Sequence, residues 1–291
     1  MSIATTMQIE ALHTDVLAWF DEAGRDLPWR VDPQPWRVMV SEFMLQQTPV
    51  ARVLPVFEAW MRRWPIPALL AADDPGEAVR AWGKLGYPRR AQRLHASAVA
   101  IVERHDGEVP ADVDALRALP GVGDYTAAAI ASFAFGQRHV VLDTNVRRVF
   151  ARTVQGVEFP ETATSATERG MAMALLPDRD AHQWAAATME LGAVVCTAKS
   201  PRCGACPVED RCAWNAAGRP AHTGPPRRGQ AYAGTDRQVR GRLLDIVRAS
   251  DAPVARAALD AAWDDAEQRE RCLQSLLADG LVTQEHGRYR L

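Results

Sequence analysis

The chain contains almost no lysine: Lys84 and Lys199 are its only lysines, and all its other basic residues, out of 34, are arginines. A reaction that needs a lysine amine as nucleophile therefore has only two candidates. The chain also lacks an apolar run of about 20 residues, the length that a membrane-spanning helix needs. Its first residues lack the basic start and apolar core of a signal peptide. We therefore expect a cytoplasmic protein without a membrane partner.

Cysteine is scarce as well, with five residues among 291. Cys196, Cys203, Cys206 and Cys212 follow the pattern C-x6-C-x2-C-x5-C. Disulfides are not expected in a cytosolic chain, so the pattern indicates a loop around a metal centre. Four thiolates bind either zinc or an iron–sulfur cluster, and the spacing alone leaves both open. Cys272 lies far along the chain among apolar residues and is predicted to be an ordinary buried thiol.

An excess of positive charge is also missing, because the net charge is −2. That is unusual for a nucleic-acid-binding protein, although binding depends on local patches rather than on the mean charge. Arginines do cluster, but such clusters are more often solvated helix faces than grooves. The clusters are Arg89, Arg90 and Arg93; Arg147, Arg148 and Arg152; Arg227 and Arg228; and Arg237, Arg240 and Arg242. The hydrophobic content of 47% supports two or three globular domains.

A tight turn, LPGVG at residues 119–123, separates two helical patterns. Two glycines let the backbone approach another group closely, and the N–H groups of the turn and of the next helix then form an anion site. The alternative is a plain helix–turn–helix corner with a glycine cap. Further on, LDTNV at residues 142–146 places Asp143 at the N-cap position of another helix.

Glu42 lies within WRVMVSEFMLQQ, residues 36–47, which is predicted to be a helix that is apolar on almost every side. A buried carboxylate is costly unless it is paired or protonated. Burial would raise its pKa, which suits a general acid. The alternative is a glutamate that reaches a neighbouring arginine at the helix surface.

Several stretches together resemble a known family. The turn followed by a Gly/Pro-rich loop and Asp143 resembles the helix–hairpin–helix DNA glycosylases. SEFMLQQTPV, residues 41–50, resembles the signature of the adenine-specific mismatch glycosylases, the MutY family, and LGY at residues 85–87 resembles that family's aromatic turn. The cysteine spacing matches the 4Fe–4S loop of this branch. The resemblance covers roughly residues 7–215.

The resemblance implies a role for each of these residues. The carboxyl group of Glu42 would protonate adenine, Asp143 would stabilise the sugar cation, and Asn145 would position a water molecule or Asp143. The four cysteines would hold the cluster. The residues implied to contact DNA are Gln46, Gln47 and Thr48 near the orphaned purine, Tyr87 as a wedge between bases, and Gly121, Val122 and Gly123 around a phosphate.

Tyr125 separates two branches of the superfamily. Endonuclease III-like relatives carry a lysine at this position, which forms a Schiff base and cuts the strand. Tyr125 cannot do so, and the resemblance places Lys84 and Lys199 in loops that face DNA. We therefore predict a monofunctional glycosylase, with Tyr125 as part of the active site.

The predicted fold is mainly α: a helix–hairpin–helix glycosylase fold with a 4Fe–4S cluster loop. The core spans residues 1–215, with a six-helix barrel domain at about 28–137 and a cluster domain from about 1–27 and 138–215. Residues 216–235 are predicted to be a linker. Residues 236–291 show three helical patterns and a terminal hairpin. They resemble a small winged helix, whose Arg237, Arg240 and Arg242 we expect to contact phosphates. We expect a short form without the larger Nudix-like domain of other members, because about 56 residues cannot hold that fold.

The predicted function is base-excision repair of adenine opposite 8-oxoguanine or guanine in double-stranded DNA, by a monomer in the bacterial cytoplasm at the nucleoid. One alternative is a thymine glycosylase of the same fold acting on T opposite G, which can also carry a tyrosine at position 125. Another is a non-catalytic iron–sulfur regulator that binds DNA through the winged helix. That alternative leaves the acid of the apolar helix, Glu42, unexplained.

Overall fold

The computed structural model describes residues 3–224 and 232–291. Arg227 and Arg228, one of the basic clusters, lie outside the described residues. The described chain is mainly helical, as predicted. Its helices are α1 (Ile3–Ala23), α2 (Pro28–Val31), α3 (Pro35–Leu45), α4 (Val50–Arg63), α5 (Pro67–Ala71), α6 (Pro75–Trp82), α7 (Arg89–Arg104), α8 (Val113–Arg117), α9 (Asp124–Phe135), α10 (Thr144–Thr153), α11 (Ala166–Ala174), α12 (Ala181–Val194), α13 (Ala213–Ala216), α14 (Asp236–Arg248), α15 (Arg256–Asp260) and α16 (Ala266–Ala278). None of these helices combines the length and apolar character that a bilayer crossing requires.

The chain divides into two compact units, and each is described by itself. Unit 1 consists of Met1–Val38, Ala111–Val113 and Gly123–Pro226. It contains α1, α2, the first turn of α3 and helices α9 to α13. Its core forms where α1, α10, α11 and α12 pack together. The largest buried apolar side chains of this core are Val16, Val149, Phe150, Leu175, Leu176, Trp184, Leu191 and Val195.

Unit 2 consists of Met39–Pro110, Asp114–Val122 and Arg227–Leu291. It contains most of α3, helices α4 to α7, most of α8 and the C-terminal elements. Its centre holds Trp60, Trp64 and Trp82, which are 1%, 2% and 0% exposed and pack edge to face. Buried side chains of α3, α4, α6 and α7 surround them.

The C-terminal part of unit 2 contains α14, α15 and α16 and a three-stranded antiparallel sheet. Strand β1 (Val254–Ala255) precedes α15, and β2 (Thr283–Glu285) and β3 (Arg288–Arg290) form the terminal hairpin. The order across the sheet is β1-β3-β2, so Tyr289 of β3 pairs with Val254 and with Gln284. The three helices and the hairpin agree with the sequence analysis, whereas β1 was not predicted because two residues carry no readable alternation. That these residues form a winged helix stays a prediction.

The C-terminal elements pack on α6 and α7 in unit 2. Arg80 of α6 donates to the carbonyls of Arg248 and Ser250, and Arg248 donates to the Val79 carbonyl at 3.2 Å. On α7, Gln92 donates to the Gly280 carbonyl at 2.7 Å. These elements are therefore tied to the helical part of unit 2 by three partly buried hydrogen bonds and one exposed hydrogen bond.

One helix ends earlier than the sequence analysis predicts, and one helix was not predicted. Helix α3 ends at Leu45 rather than Gln47, because Gln47 has a left-handed backbone with φ of 54° and the Thr48 N–H bonds the Leu45 carbonyl. Helix α5 was not predicted, since the prolines at 65 and 67 indicated only a break. Pro67 in fact stands at the first helical position, where its missing N–H costs nothing.

Candidate active site and cluster loop

Asp143 is the N-cap of α10 in unit 1, as predicted. Its Oδ1 accepts the Val146 N–H at 2.7 Å and its Oδ2 accepts from Asn145 Nδ2 at 2.7 Å. Burial raises the pKa of Asp143, and this outweighs the lowering effect of these hydrogen bonds and of the Arg148 charge. The helix terminus favours the charged form of this carboxyl group, and burial, which no local pattern shows, acts against it.

A hydrogen-bonded path runs from this carboxylate to the cysteine loop. Asn145 Oδ1 accepts from Arg148 Nη2 at 2.7 Å, so both ends of the Asn145 amide are engaged. Arg148 Nε donates to the carbonyl of Cys196 at 2.7 Å, and its Nη2 donates to the Gly192 carbonyl at 2.6 Å. Asp143, Asn145, Arg148 and the first cysteine are thus connected inside one unit.

This path corrects the interpretation of one basic cluster. Arg148 and Arg152 are 8% and 1% exposed, so they are internal side chains rather than parts of a DNA-contacting patch. They are four residues apart on α10, which is the spacing of a single helix face, and that face turns inward. Arg147 pairs with the buried Glu168 at 2.7 Å.

Gly192 of α12 permits the close packing of α12 on α10. A Cβ atom at this position would lie 2.7 Å from Asn145 Cβ and 2.8 Å from its carbonyl oxygen. Any side chain at 192 would therefore displace Asn145. The sequence analysis did not identify Gly192, although an isolated glycine within a helical pattern is a signal of close packing.

Glu190, on the same helix, is 0% exposed and binds two arginines. Arg25 makes a two-point contact with its carboxylate, and Arg30 donates at 2.9 Å. Burial raises the pKa of Glu190, but the two arginines more than offset it, and the net pKa is lowered. Breaking a buried pair leaves an uncompensated charge, so this group holds α12 in place beside Asn145.

Tyr125 lies in the first turn of α9 and is partly buried. It packs against the small cluster of Ala129, Val141 and Ala185. Glu42 belongs to α3 in unit 2 and is 6% exposed, between the fully buried Ser41 and the buried Phe43. The predicted burial of this carboxyl group is therefore present.

The glycine-rich turn differs between its two glycines. Gly121 has φ of 80°, and a Cβ there would lie 2.7 Å from Arg93 Cβ and 3.1 Å from the Phe43 ring. Gly123 opens α9 and has no atom near its Cβ direction, so its backbone is open to an approaching group. The side chain of Val122 is 7% exposed, and its N–H bonds the Leu119 carbonyl at 3.2 Å. The predicted anion site would therefore use Gly123 and the N–H groups that follow it, and it stays a prediction.

The two predicted DNA-probing loops both contain left-handed backbone. Gln47 has φ of 54° and is exposed, and Tyr87 has φ of 47° and is 45% exposed, after Gly86 at φ of 84°. Thr48 was predicted to contact DNA, but it is 6% exposed and its hydroxyl accepts from Arg90 at 3.0 Å. Its hydroxyl is thus used inside the protein, while Gln47 and Tyr87 are presented to solvent.

Cys196, Cys203, Cys206 and Cys212 line one cavity in unit 1, closed by Arg152 and Trp214 among others. Burial, with added repulsion from the other cysteines, raises the pKa of Cys206 to about 12. Thiolates in such a place need a cation to stay charged, and a metal centre held by the four cysteines would supply it. Arg152 Nη1 also lies 3.4 Å from Cys196 Sγ. The donor set and its setting fit a cluster.

Zinc was the other possibility for these cysteines. Zinc draws four thiolates tightly together, at about 2.3 Å from one ion. Within the described ranges, no three His, Cys, Asp or Glu side chains form a group that could hold a single metal ion. The family whose model covers these cysteines decides between zinc and a cluster.

Two arginines of the cysteine loop bind partners within the protein. Arg202 donates to the Val194 carbonyl at the end of α12, and Arg211 pairs with Asp15 of α1 at 2.9 Å. Lys199 is exposed. In the C-terminal elements, Arg240 likewise pairs with Asp279 at 2.6 Å, and Arg242 lies over the Trp263 ring. The expectation that Arg240 contacts a phosphate is therefore not supported.

Comparisons with known proteins agree with this geometry. The model of the HhH-GPD superfamily of base excision DNA repair proteins matches residues 40–170. The model of the iron–sulfur binding domain of endonuclease III matches residues 196–212, which contain all four cysteines, so the cofactor of this chain is a 4Fe–4S cluster.

Individual relatives extend the comparison. The adenine DNA glycosylase of Mycobacterium tuberculosis (strain CDC 1551 / Oshkosh) is 56% identical over 96% of this chain and 92% of its own. That of Homo sapiens is 41% identical over 70% of this chain and 39% of its own. A solved non-covalent endonuclease III–DNA complex has a TM-score of 0.62 and 25% identity, covering 72% of this chain and 96% of that chain. At 56% identity over nearly its whole length, the chain belongs to the adenine DNA glycosylase family, within the HhH-GPD superfamily of base excision DNA repair proteins.

Proposed function

We propose that this protein is a base-excision repair enzyme that hydrolyses the N-glycosidic bond of adenine mispaired with 8-oxoguanine or guanine in double-stranded DNA. The observation that carries the proposal is the presence of two inward-lying carboxyl groups on the helices that the family pattern predicts. Glu42 is buried in an apolar helix, and Asp143 is held at a helix N-terminus by hydrogen bonds. Glycosidic cleavage uses two carboxyl groups, one as the acid and one beside the sugar.

Glu42 supplies the acid. Adenine is a poor leaving group until it is protonated, and the carboxyl group of Glu42 delivers a proton to N7 of the base. The buried position keeps water away from the proton before transfer. Protonation weakens the glycosidic bond, and the bond breaks with its electron pair moving to adenine.

Asp143 faces the charge that remains on the sugar. Loss of adenine leaves an oxocarbenium-like sugar, which a fixed carboxylate stabilises or traps. Two hydrogen bonds and the Asn145–Arg148 connection hold the Asp143 carboxylate, so little reorganisation is needed when the charge develops. Water then attacks the sugar carbon with overall retention, and the proton that water loses passes to the Glu42 carboxylate, which gave up its own proton in the first step.

Two kinds of contact bind the DNA: contacts to backbone phosphates, which carry no sequence information, and contacts near the bases at the mismatch. Gly123 and the first turn of α9 bind a backbone phosphate, and Lys199 adds charge from the cluster loop. Gln46 and Gln47 enter near the orphaned purine, and Tyr87 fills the gap that base flipping leaves. The four cysteines would hold the 4Fe–4S cluster, whose proposed role is to pin this loop.

The remaining organisation is proposed from the same pattern. Residues 1–215 are the glycosylase core, 216–235 a linker and 236–291 a winged-helix-like module. We propose that the protein acts as a monomer on the chromosome in the bacterial cytoplasm.

Base release from defined duplexes tests the function. We expect the purified protein to release adenine from duplexes with A opposite 8-oxoguanine and A opposite guanine, and no thymine from T opposite guanine. Released bases are identified chromatographically, with fully paired duplex as control. Thymine release would support the thymine glycosylase, and tight duplex binding without any base release would support the regulator.

Strand cutting is tested separately. Because Tyr125 stands where a Schiff-base lysine would be needed, we expect borohydride to trap no covalent protein–DNA species while adenine is released. A lysine-bearing endonuclease III serves as the positive control on its own substrate. A trapped species that disappears in Lys84→Arg or Lys199→Arg would show that the enzyme is bifunctional.

A further inference from the structure

Arg90, in the first turn of α7, is an arginine with an unusual set of partners. It is 6% exposed, and its Nη1 donates to the carbonyls of Phe43 at 2.9 Å, Met44 at 3.1 Å and Gln46 at 2.6 Å. These carbonyls belong to the end of α3, where a helix leaves its last carbonyls without internal partners. One guanidinium nitrogen therefore caps the helix from which the Gln46–Thr48 loop emerges.

The other terminal nitrogen reaches two different segments. Arg90 Nη2 donates to the Thr48 hydroxyl at 3.0 Å and to the Gly86 carbonyl at 3.0 Å. Its guanidinium also lies 5.6 Å from the centre of the Tyr87 ring. A single planar group thus contacts the segment 46–48 and the segment 86–87, which are about forty residues apart in the chain.

Both segments are in a conformation that needs support. Gln47 and Tyr87 have φ values of 54° and 47°, a region that residues other than glycine rarely adopt. Such strain persists only where the surroundings determine the backbone, and it gathers at functional sites. The fixed bonds of Arg90 lie directly beside both strained residues.

The charge of Arg90 is not balanced by an acid. In the described part of the chain no carboxylate pairs with it, and burial lowers its pKa to about 10. Burying an unpaired charge is costly, so a purely structural capping role would be met more cheaply by a neutral donor. The planar fork of arginine, with donors in fixed directions, is what several acceptors in two segments require.

We propose that Arg90 is a positioning residue that couples the Gln46–Thr48 loop to the Gly86–Tyr87 loop. The two loops then keep a fixed position relative to each other when they contact a mismatched duplex. This rests on the proposed function. Neither loop then discriminates alone: the position of one probe determines where the other meets the base stack. Arg90 itself stays inside the protein and contacts no DNA.

The test compares Arg90→Lys with His95→Gln. Lysine keeps the charge but offers a single ammonium that cannot span both segments. His95 is a matched control, because it is 7% exposed on the same helix and bonds only the Asp73 carbonyl at 2.8 Å among the described residues. The measurement is the ratio of dissociation constants for duplexes with A opposite 8-oxoguanine and with paired bases. We expect Arg90→Lys to lower this preference by at least about tenfold with the cluster absorbance intact, and His95→Gln to keep it within about threefold.

A double-mutant cycle keeps the proposal testable if Arg90→Lys does not fold. Gln46→Ala and Tyr87→Ala each remove one probe and leave the backbone bonds to Arg90 in place. If the loops are coupled, the double variant's preference for the mismatched over the paired duplex should differ by about fivefold or more from the value that the two single variants predict by addition of their free-energy effects. Additive effects, or an unchanged preference in a folded Arg90→Lys protein, would overturn the coupling.

Adenine release by the wild-type protein, measured on the same duplexes, distinguishes a failure of the proposed function from a failure of the proposed role of Arg90. If the wild-type protein releases no adenine from either mismatch, the proposed function fails. If it releases adenine and the cycle is additive, only the role of Arg90 fails.

Discussion

Replacing Glu42 by glutamine is expected to reduce adenine release by at least about a thousandfold, a loss of ~4 kcal/mol of transition-state stabilisation. Glutamine has the same shape and fills the same buried position in α3, but its amide has no proton to give to the leaving base. Single-turnover release from a duplex with A opposite 8-oxoguanine is the measurement. Binding to that duplex and the melting temperature should stay close to those of the wild-type protein.

Glu58→Gln is the matched control for this change. Glu58 lies on α4 and is exposed, so the same substitution there removes a carboxylate without touching a buried site. Its activity should equal that of the wild-type protein. If Glu42→Gln kept activity within about tenfold, a barrier change of only ~1.4 kcal/mol, the proton would have to come from elsewhere.

Cys203→Ser is the second change with a large expected effect. A serine hydroxyl is a poor ligand for iron, so the protein should lose its brown colour together with its iron and sulfide. The loop at 196–212 would no longer be pinned, and DNA affinity should fall with it. Activity should fall further, because the Cys196 carbonyl holds Arg148 and, through Asn145, Asp143.

Cys272→Ser provides the control, because Cys272 is 1% exposed in α16, far along the chain from the cysteine loop. It should retain iron, sulfide and affinity for the mismatched duplex. Metal analysis of protein prepared anaerobically also distinguishes a 4Fe–4S cluster from zinc. Stoichiometric zinc without sulfide would contradict the 4Fe–4S assignment.

Local features of the site were readable from the sequence. The N-cap at Asp143 depends on residues within one helical turn, and the turn that follows Pro120 depends on glycine's freedom at positive φ, which Gly121 uses at φ of 80°. The cysteine pattern indicated a metal loop from spacing alone. The helix around Glu42 could be recognised as buried because apolar residues surround it on all sides. Each of these signals lies within a few residues.

Local sequence patterns do not show whether an arginine is buried or exposed. Arg90, Arg148 and Arg240 all read as members of basic clusters, yet the first two are buried and the third is paired with Asp279. A run of arginines has the same pattern whether it faces solvent or carbonyl groups. The partners that decide between these cases come from other segments of the chain.

The sequence by itself determined most of the longer helices, the cap at Asp143, the cysteine loop and the candidate carboxyl groups, because short-range spacing specifies them. Only the tertiary structure decided which arginines are internal. Arg90 bonds the Phe43 carbonyl across 47 residues, and Arg148 bonds the Cys196 carbonyl across 48. The raised pKa of Asp143 has the same origin, since burial is the sum of neighbours from many segments. Folding brings those neighbours together, and no local pattern encodes their number or distance.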